Sequence, residues 1–156
     1  MSAGEEQSRP PRTISLEDLL IRAEELRTYI AALQGQIDAL SQNYGELQIA
    51  IETLNSLPPN GREGFAVLNR LNSAFIPIKV DPLWEGNIIV NVGLSYYVKT
   101  TKEKAVEILT KRLEATRRVL EKLQRDYSQA LNEYNALQNL LVQVYSKIRE
   151  AAERGG

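Results

Sequence analysis

The chain has 156 residues, with 19 Lys and Arg against 20 Asp and Glu for a formal charge of −1, and 43% of its residues are hydrophobic. One domain of that length can build a core, but it carries no net field to draw nucleic acid or an anionic membrane surface. There is no Cys and no His, so disulfides, thiolate nucleophiles, Cys/His metal sites and the usual neutral-pH acid–base group are all missing. Neither an enzyme nor a carrier of a metal or cofactor is expected.

Residues 1–14 are polar, with Glu5, Glu6, Pro10 and Pro11 among them, and read as a disordered tail rather than a secretory signal. No stretch approaches the ~18 consecutive apolar residues of a membrane span. A cytoplasmic location without membrane contact is the expectation.

Residues 15–57 carry an uninterrupted heptad. Leu16, Ala23, Ile30, Ile37, Tyr44 and Ile51 form one row, and Leu19, Leu26, Leu33, Leu40, Leu47 and Leu54 form the other. Steps alternating between three and four residues define a coiled-coil seam. Ser15 and Asp18 suit a capping box, with Ile14 able to staple onto Leu19. Pro58-Pro59-Asn60-Gly61 stops the helix. Gly35 and Gly45 each cost it about 1 kcal/mol of propensity.

Between residues 58 and 100 the period drops to two. Phe65 and Val67, then Ile76, Ile78 and Val80, then Ile88, Val90 and Val92, then Tyr96 and Val98 alternate as strands do. Turns at Asn72-Ser73 and Gly93-Leu94-Ser95 predict two β-hairpins, and Pro77 belongs at an edge or a bulge. Four short strands have little local core, because an isolated hairpin is marginal in water. A self-contained β cap is one reading; strands completing a sheet or barrel with other subunits is the preferred one.

Residues 101–153 repeat the heptad, with rows Val106, Leu113, Leu120, Tyr127, Tyr134, Leu141, Ile148 and Leu109, Thr116, Leu123, Ala130, Leu137, Val144, Ala151. Thr100 with Glu103 is the expected capping box, and residues 154–156 form a second tail. Two connected seams of matching length predict an antiparallel hairpin. The preferred register, with those one heptad away as alternatives, sets Leu54 by Val106, Tyr44 by Thr116, Ile30 by Ala130 and Ala23 by Leu137, so that large side chains oppose small ones. The fold class is thus α+β: a long antiparallel coiled-coil hairpin with two β-hairpins at its connected end, which form a sheet or a β-barrel with other subunits.

The sequence contains no Walker loop, dinucleotide fingerprint or nucleophile elbow. Lys111, Arg112, Arg117, Arg118, Lys122 and Arg125 make a basic run, but Glu114, Glu121 and Asp126 interrupt it and no aromatic residues interleave as stacking platforms. Nucleic-acid binding is not expected. At the far end of the predicted hairpin, apolar residues spread beyond the seam to Leu20, Ile21 and Tyr29 on one helix and Leu140, Val142 and Tyr145 on the other. A patch of this kind marks either a third helix in an oligomer or an adaptable surface for exposed hydrophobic segments of other proteins.

Two long heptad helices flanking two hairpins resemble prefoldin, and more narrowly its archaeal alpha class, in which two hairpins replace the single one of the beta class. The most specific stretches are Ala50-Ile-Glu-Thr-Leu54 and Ile88-Ile-Val-Asn-Val-Gly93 followed by Tyr96-Tyr-Val-Lys99. Asn69-Arg70 and Asn72-Ser73 stand where family members often carry a Pro and a Gly-rich turn. The resemblance implies an ATP-independent co-chaperone of two alpha-class and four beta-class subunits, without a cofactor, holding unfolded client proteins at its coiled-coil tips for a group II chaperonin. It assigns Leu16, Leu19, Leu20, Ile21, Leu140, Leu141, Val144, Tyr145 and Ile148 to client binding. Phe65, Val67, Ile76, Ile78, Ile88, Val90, Tyr96 and Val98 become assembly residues. A competing expectation is a related subunit that self-associates through its β edges into a filament or scaffold.

Overall fold

The computed structural model describes residues 13–155, so most of the predicted N-terminal tail and the final glycine lie outside the described residues. Helix α1 (Leu16–Ser56) leads to strands β1 (Glu63–Val67) and β2 (Phe75–Lys79), a single 3-10 turn at Trp84–Gly86, strands β3 (Ile88–Gly93) and β4 (Tyr96–Thr100), and helix α2 (Lys102–Arg154). The two long helices form a coiled-coil hairpin, and each pair of strands is a separate two-stranded antiparallel sheet.

The start of α1 is closed as its sequence requires. Asp18 N–H donates to Ser15 Oγ at 3.1 Å, and Ser15 N–H and Oγ–H both donate to the Asp18 carboxylate, at 3.1 and 2.8 Å. These bonds favour the ionised acid and hold Asp18 below the usual carboxylate range. The start of α2 differs from expectation. Thr101, not Thr100, is the cap: its Oγ1 accepts from Lys104 N–H at 3.3 Å, and its carbonyl accepts from Ala105 N–H at 2.9 Å. Thr100 is still in strand β4, opposite Ile88, and its backbone cannot serve both ladder and cap.

Two compact units divide the chain. In the unit that holds both chain ends, Ala23, Leu26, Leu33, Ala130, Leu137 and Leu141 form a buried cluster, bordered by Ile30, Tyr127 and Tyr134. Leu20, Ala23 and Arg27 line one side of this seam with Tyr134, Gln138 and Leu141. On the other side Arg22 donates to Glu133 at 2.7 and 3.1 Å. These groupings fit a register with Ala23 against Leu137 and Ile30 against Ala130.

The second unit, residues 37–122, has its own cluster of Leu47, Val90, Ala105 and Leu109, with Ile51, Leu54, Ile88 and Leu113 packed on it. After α1, Gly61 turns the chain at φ +75°, its N–H donating to the Pro58 carbonyl at 3.1 Å. A Cβ there would stand 2.3 Å from the Val80 carbonyl oxygen, so only glycine fits the close approach of the connector. Trp84 is buried in this unit, its indole N–H donating to the Pro58 carbonyl at 2.9 Å. The Lys102 ammonium stands 5.6 Å from the ring centroid and 3.9 Å from Glu85. One indole thereby ties the end of α1, the inter-hairpin turn and the first residue of α2 together.

Candidate functional site

Heptad geometry puts one stripe of each helix into the seam and leaves the rest to solvent. In the unit with both chain ends, Leu20, Ile21, Tyr29, Leu140, Val142 and Tyr145 lie outside the buried cluster and are exposed. Ile148 belongs to a seam row yet is 51% exposed, because α2 runs past the residues that would oppose the start of α1. Leu16, Leu19 and Val144 are half-buried. Leu141 is only 5% exposed and is part of the core. Of the nine residues assigned to client binding, five therefore present an open surface, three border it, and Leu141 supports it from beneath.

The hairpins divide their assigned residues just as unevenly. The register of the first places Phe65 opposite Pro77, Val67 opposite Phe75, Ala66 opposite Ile76 and Gly64 opposite Ile78. Cross-strand partners share a face, so Phe65 and Val67 lie on one side and Ile76 and Ile78 on the other. The alternation within each strand was legible, whereas Phe75, which shares the Val67 face, was missed. Phe65, Val67, Phe75, Ile76 and Ile78 are all exposed, Phe65 at 71%.

In the second hairpin Val90 is 4% exposed and packs with Leu47, Ala105 and Leu109, with Ile88 beside it. These two side chains serve the chain's own core, because the β3 face that carries them closes over α1 and α2. Tyr96 and Val98 remain exposed, as do Ile89, Val92 and Leu94. Arg112 Nη1 donates to the Asn91 carbonyl at 2.8 Å. A member of the basic run thus fastens β3 to α2. No local residue pattern signals that role, since the partner is a backbone oxygen.

The neighbouring charges neutralise one another along α2. Arg117 and Arg118 hold the Glu114 carboxyl at about 2, and Arg117 also pairs with Glu121. Lys111 and Lys104 hold Glu107 below the usual carboxylate range. Among the described residues no group of His, Cys, Asp and Glu is arranged to hold a metal ion, and no helix is long and apolar enough to cross a membrane.

The family model for the prefoldin subunit matches residues 26–147. The chain belongs to the prefoldin family. A curated prefoldin subunit alpha from Metallosphaera sedula is 30% identical over 128 residues, covering 82% of this chain and 88% of its own. Another, from Sulfurisphaera tokodaii, is 24% identical over 151 residues and covers 97% of this chain and 98% of its own. The solved structure of filamentous PFD from Methanocaldococcus jannaschii aligns at 18% identity over 89% of this chain and 96% of its own, with a TM-score of 0.32. Prefoldins are chaperone subunits. The prefoldin match takes in both hairpins and most of both helices. It stops short of Leu16, Leu19, Leu20, Ile21 and Ile148.

Proposed function

We propose that this chain is an alpha-class subunit of a cytoplasmic, ATP-independent co-chaperone, and that it holds non-native proteins at the coiled-coil end carrying both chain termini. The observation that carries the reading is the excess of apolar side chains there. The seam is already filled by Leu26, Leu33, Ala130 and Leu137, yet Leu20, Ile21, Leu140, Val142 and Tyr145 stand exposed around it. Side chains that the fold does not use are available to bury a client's apolar surface at ~25 cal/mol per Å². A grip of this kind has no fixed hydrogen-bond pattern and so accepts many sequences.

The hairpins provide assembly. Phe65, Val67, Ile76, Ile78, Tyr96 and Val98 would be covered by neighbouring subunits, two alpha-class chains joining four of the beta class in a shared barrel. Linking several weak surfaces raises the effective affinity for one client without nucleotide-driven cycling. Clients held this way would pass to a group II chaperonin.

Leu20, Ile21, Leu140 and Tyr145 changed together to Ser should leave the assembled mass intact while strongly reducing suppression of client aggregation. Full suppression by a correctly assembled variant would place client binding elsewhere. A native mass showing a ladder of this chain alone would favour a self-associating scaffold.

A further inference from the structure

Asn60-Gly61 is the one Asn-Gly pair in the chain, and it sits in the turn between α1 and β1. Asparagine is chemically labile, most of all before glycine, which has no side chain to shield the following backbone nitrogen from the asparagine amide. Asn60 is exposed, so water reaches it freely. Gly61 is fixed by the fold: it holds φ +75°, and a Cβ there would collide with the Val80 carbonyl oxygen. Replacing the glycine cannot relieve the pair, and the chain keeps a reactive bond at the entrance to its first hairpin.

The turn itself restrains the reaction. Gly61 N–H donates to the Pro58 carbonyl at 3.1 Å, with Pro59 and Asn60 as the two central residues. Asn60 does not have a positive φ, so the turn is of type I, in which ψ of the second central residue is close to zero. Around the Cα–C axis a residue's own N and Cβ stand about 120° apart. The Gly61 nitrogen can close a five-membered ring on Asn60 Cγ only when it eclipses Cβ, so Asn60 must rotate by about 120° out of the turn. That rotation breaks the bond from Gly61 to Pro58. The same carbonyl accepts the Trp84 indole N–H at 2.9 Å, and the buried indole thereby holds one end of the turn in place.

We propose that Asn60 is a self-modification site that the Trp84–Pro58 lock keeps unreacted, and that it deamidates when the turn opens. Hydroxide takes the Gly61 N–H proton, and the nitrogen bonds to Asn60 Cγ. The Cγ–Nδ2 bond breaks, and the amide nitrogen leaves as ammonia with a proton from water. Water then opens the resulting succinimide at either carbonyl, releasing a proton and leaving a carboxylate at position 60. The backbone there runs either through the original carbonyl or through Cγ. The second linkage lengthens the backbone by one carbon, so Gly61 no longer keeps both its Pro58 bond and its fit against Val80. The change runs one way, and it marks chains whose connector has opened.

The test is incubation of the full chain in warm, mildly alkaline buffer, with conversion at each asparagine followed by peptide mass mapping. Asn60 in the folded chain should convert more slowly than in the same chain in urea by roughly tenfold or more. Equal rates would overturn the protection. Trp84→Phe keeps much of the ring packing but loses the indole bond, and should speed Asn60 conversion roughly fivefold while leaving Asn72 unchanged. Val90→Ala weakens the core of the same unit but keeps both bonds to the Pro58 carbonyl, so its Asn60 rate should stay near that of the wild-type chain. Equal acceleration by the two variants would show that global unfolding governs the site, and the lock assignment would fall. The wild-type chain gives a readout that needs no variant. Opening of the turn also exposes the Gly61 amide, so Asn60 conversion should rise in step with Gly61 hydrogen exchange as urea is added below the unfolding transition. Conversion that ignores that exchange would overturn the proposal.

Discussion

The indole N–H of Trp84 reaches the Pro58 carbonyl at 2.9 Å across 26 residues of chain. Trp84→Phe keeps much of the packing and loses this bond, a cost of about 1 kcal/mol. Trp84→Ala removes the ring as well and should cost about 3–5 kcal/mol. Thermal unfolding followed by circular dichroism should rank the three chains in that order. An unchanged midpoint for the alanine variant would show that the connector does not depend on this ring.

Val90 faces the chain's own helices, so its substitution tests folding before assembly. Val90→Ala should cost about 2 kcal/mol through lost burial and the cavity left behind. Val90→Asp places an unpaired carboxylate among Leu47, Ala105 and Leu109 and should lose far more. Both should lower the unfolding midpoint at concentrations where the chain is unassembled. A defect visible only in the complex would return Val90 to the interface.

Leu94 and Ser95 make the second hairpin's turn at φ +48° and +65°, a region that favours Asn and Gly, and Leu94 is 92% exposed. Leu94→Asn with Ser95→Gly should therefore slow amide exchange across β3 and β4, with a gain of about 1–2 kcal/mol. If the apolar side chain at this turn is retained for assembly, the stabilised variant should assemble less completely, which native mass spectrometry would read.

Glu114 supplies a pH dependence of known sign. Its carboxyl is held at about 2, against an ordinary 4.5, by Arg117 and then Arg118. A depressed carboxyl contributes stability that is fully present above its unfolded value and is lost as pH falls through its folded value. Glu114→Gln should thus lower the midpoint at pH 6 and low salt, and the difference should close as pH approaches 2. Added salt should shrink it at every pH, because these side chains are largely exposed.

The elements differed in how openly their residues announced them. Twelve seam positions from Leu16 to Leu54 repeat without a stutter, and a period that long has one physical interpretation. The hairpins were visible as alternation, but their faces were not: one residue of register decides whether Ile76 or Phe75 shares a side with Val67. The α2 cap moved from Thr100 to Thr101 because strand pairing, a nonlocal bond, took Thr100 first. Trp84 and Arg112 were illegible for the same reason, as each bonds a backbone oxygen far along the chain. In the candidate client surface, Leu20, Ile21, Leu140 and Tyr145 could be read because they break the heptad's polar outer face. Leu141 could not be separated from them without knowing which heptad positions the seam buries.

Hairpin one keeps both faces and both edges in water, joined to the rest of the chain by the connector at Gly61 and Val80. A two-stranded ribbon in that position is near the limit of independent stability. Its folded population would then depend on protomer concentration through mass action. Dilution should loosen it while the coiled coil persists, and cells making this chain in excess of its partners would accumulate the form with the stickiest surface.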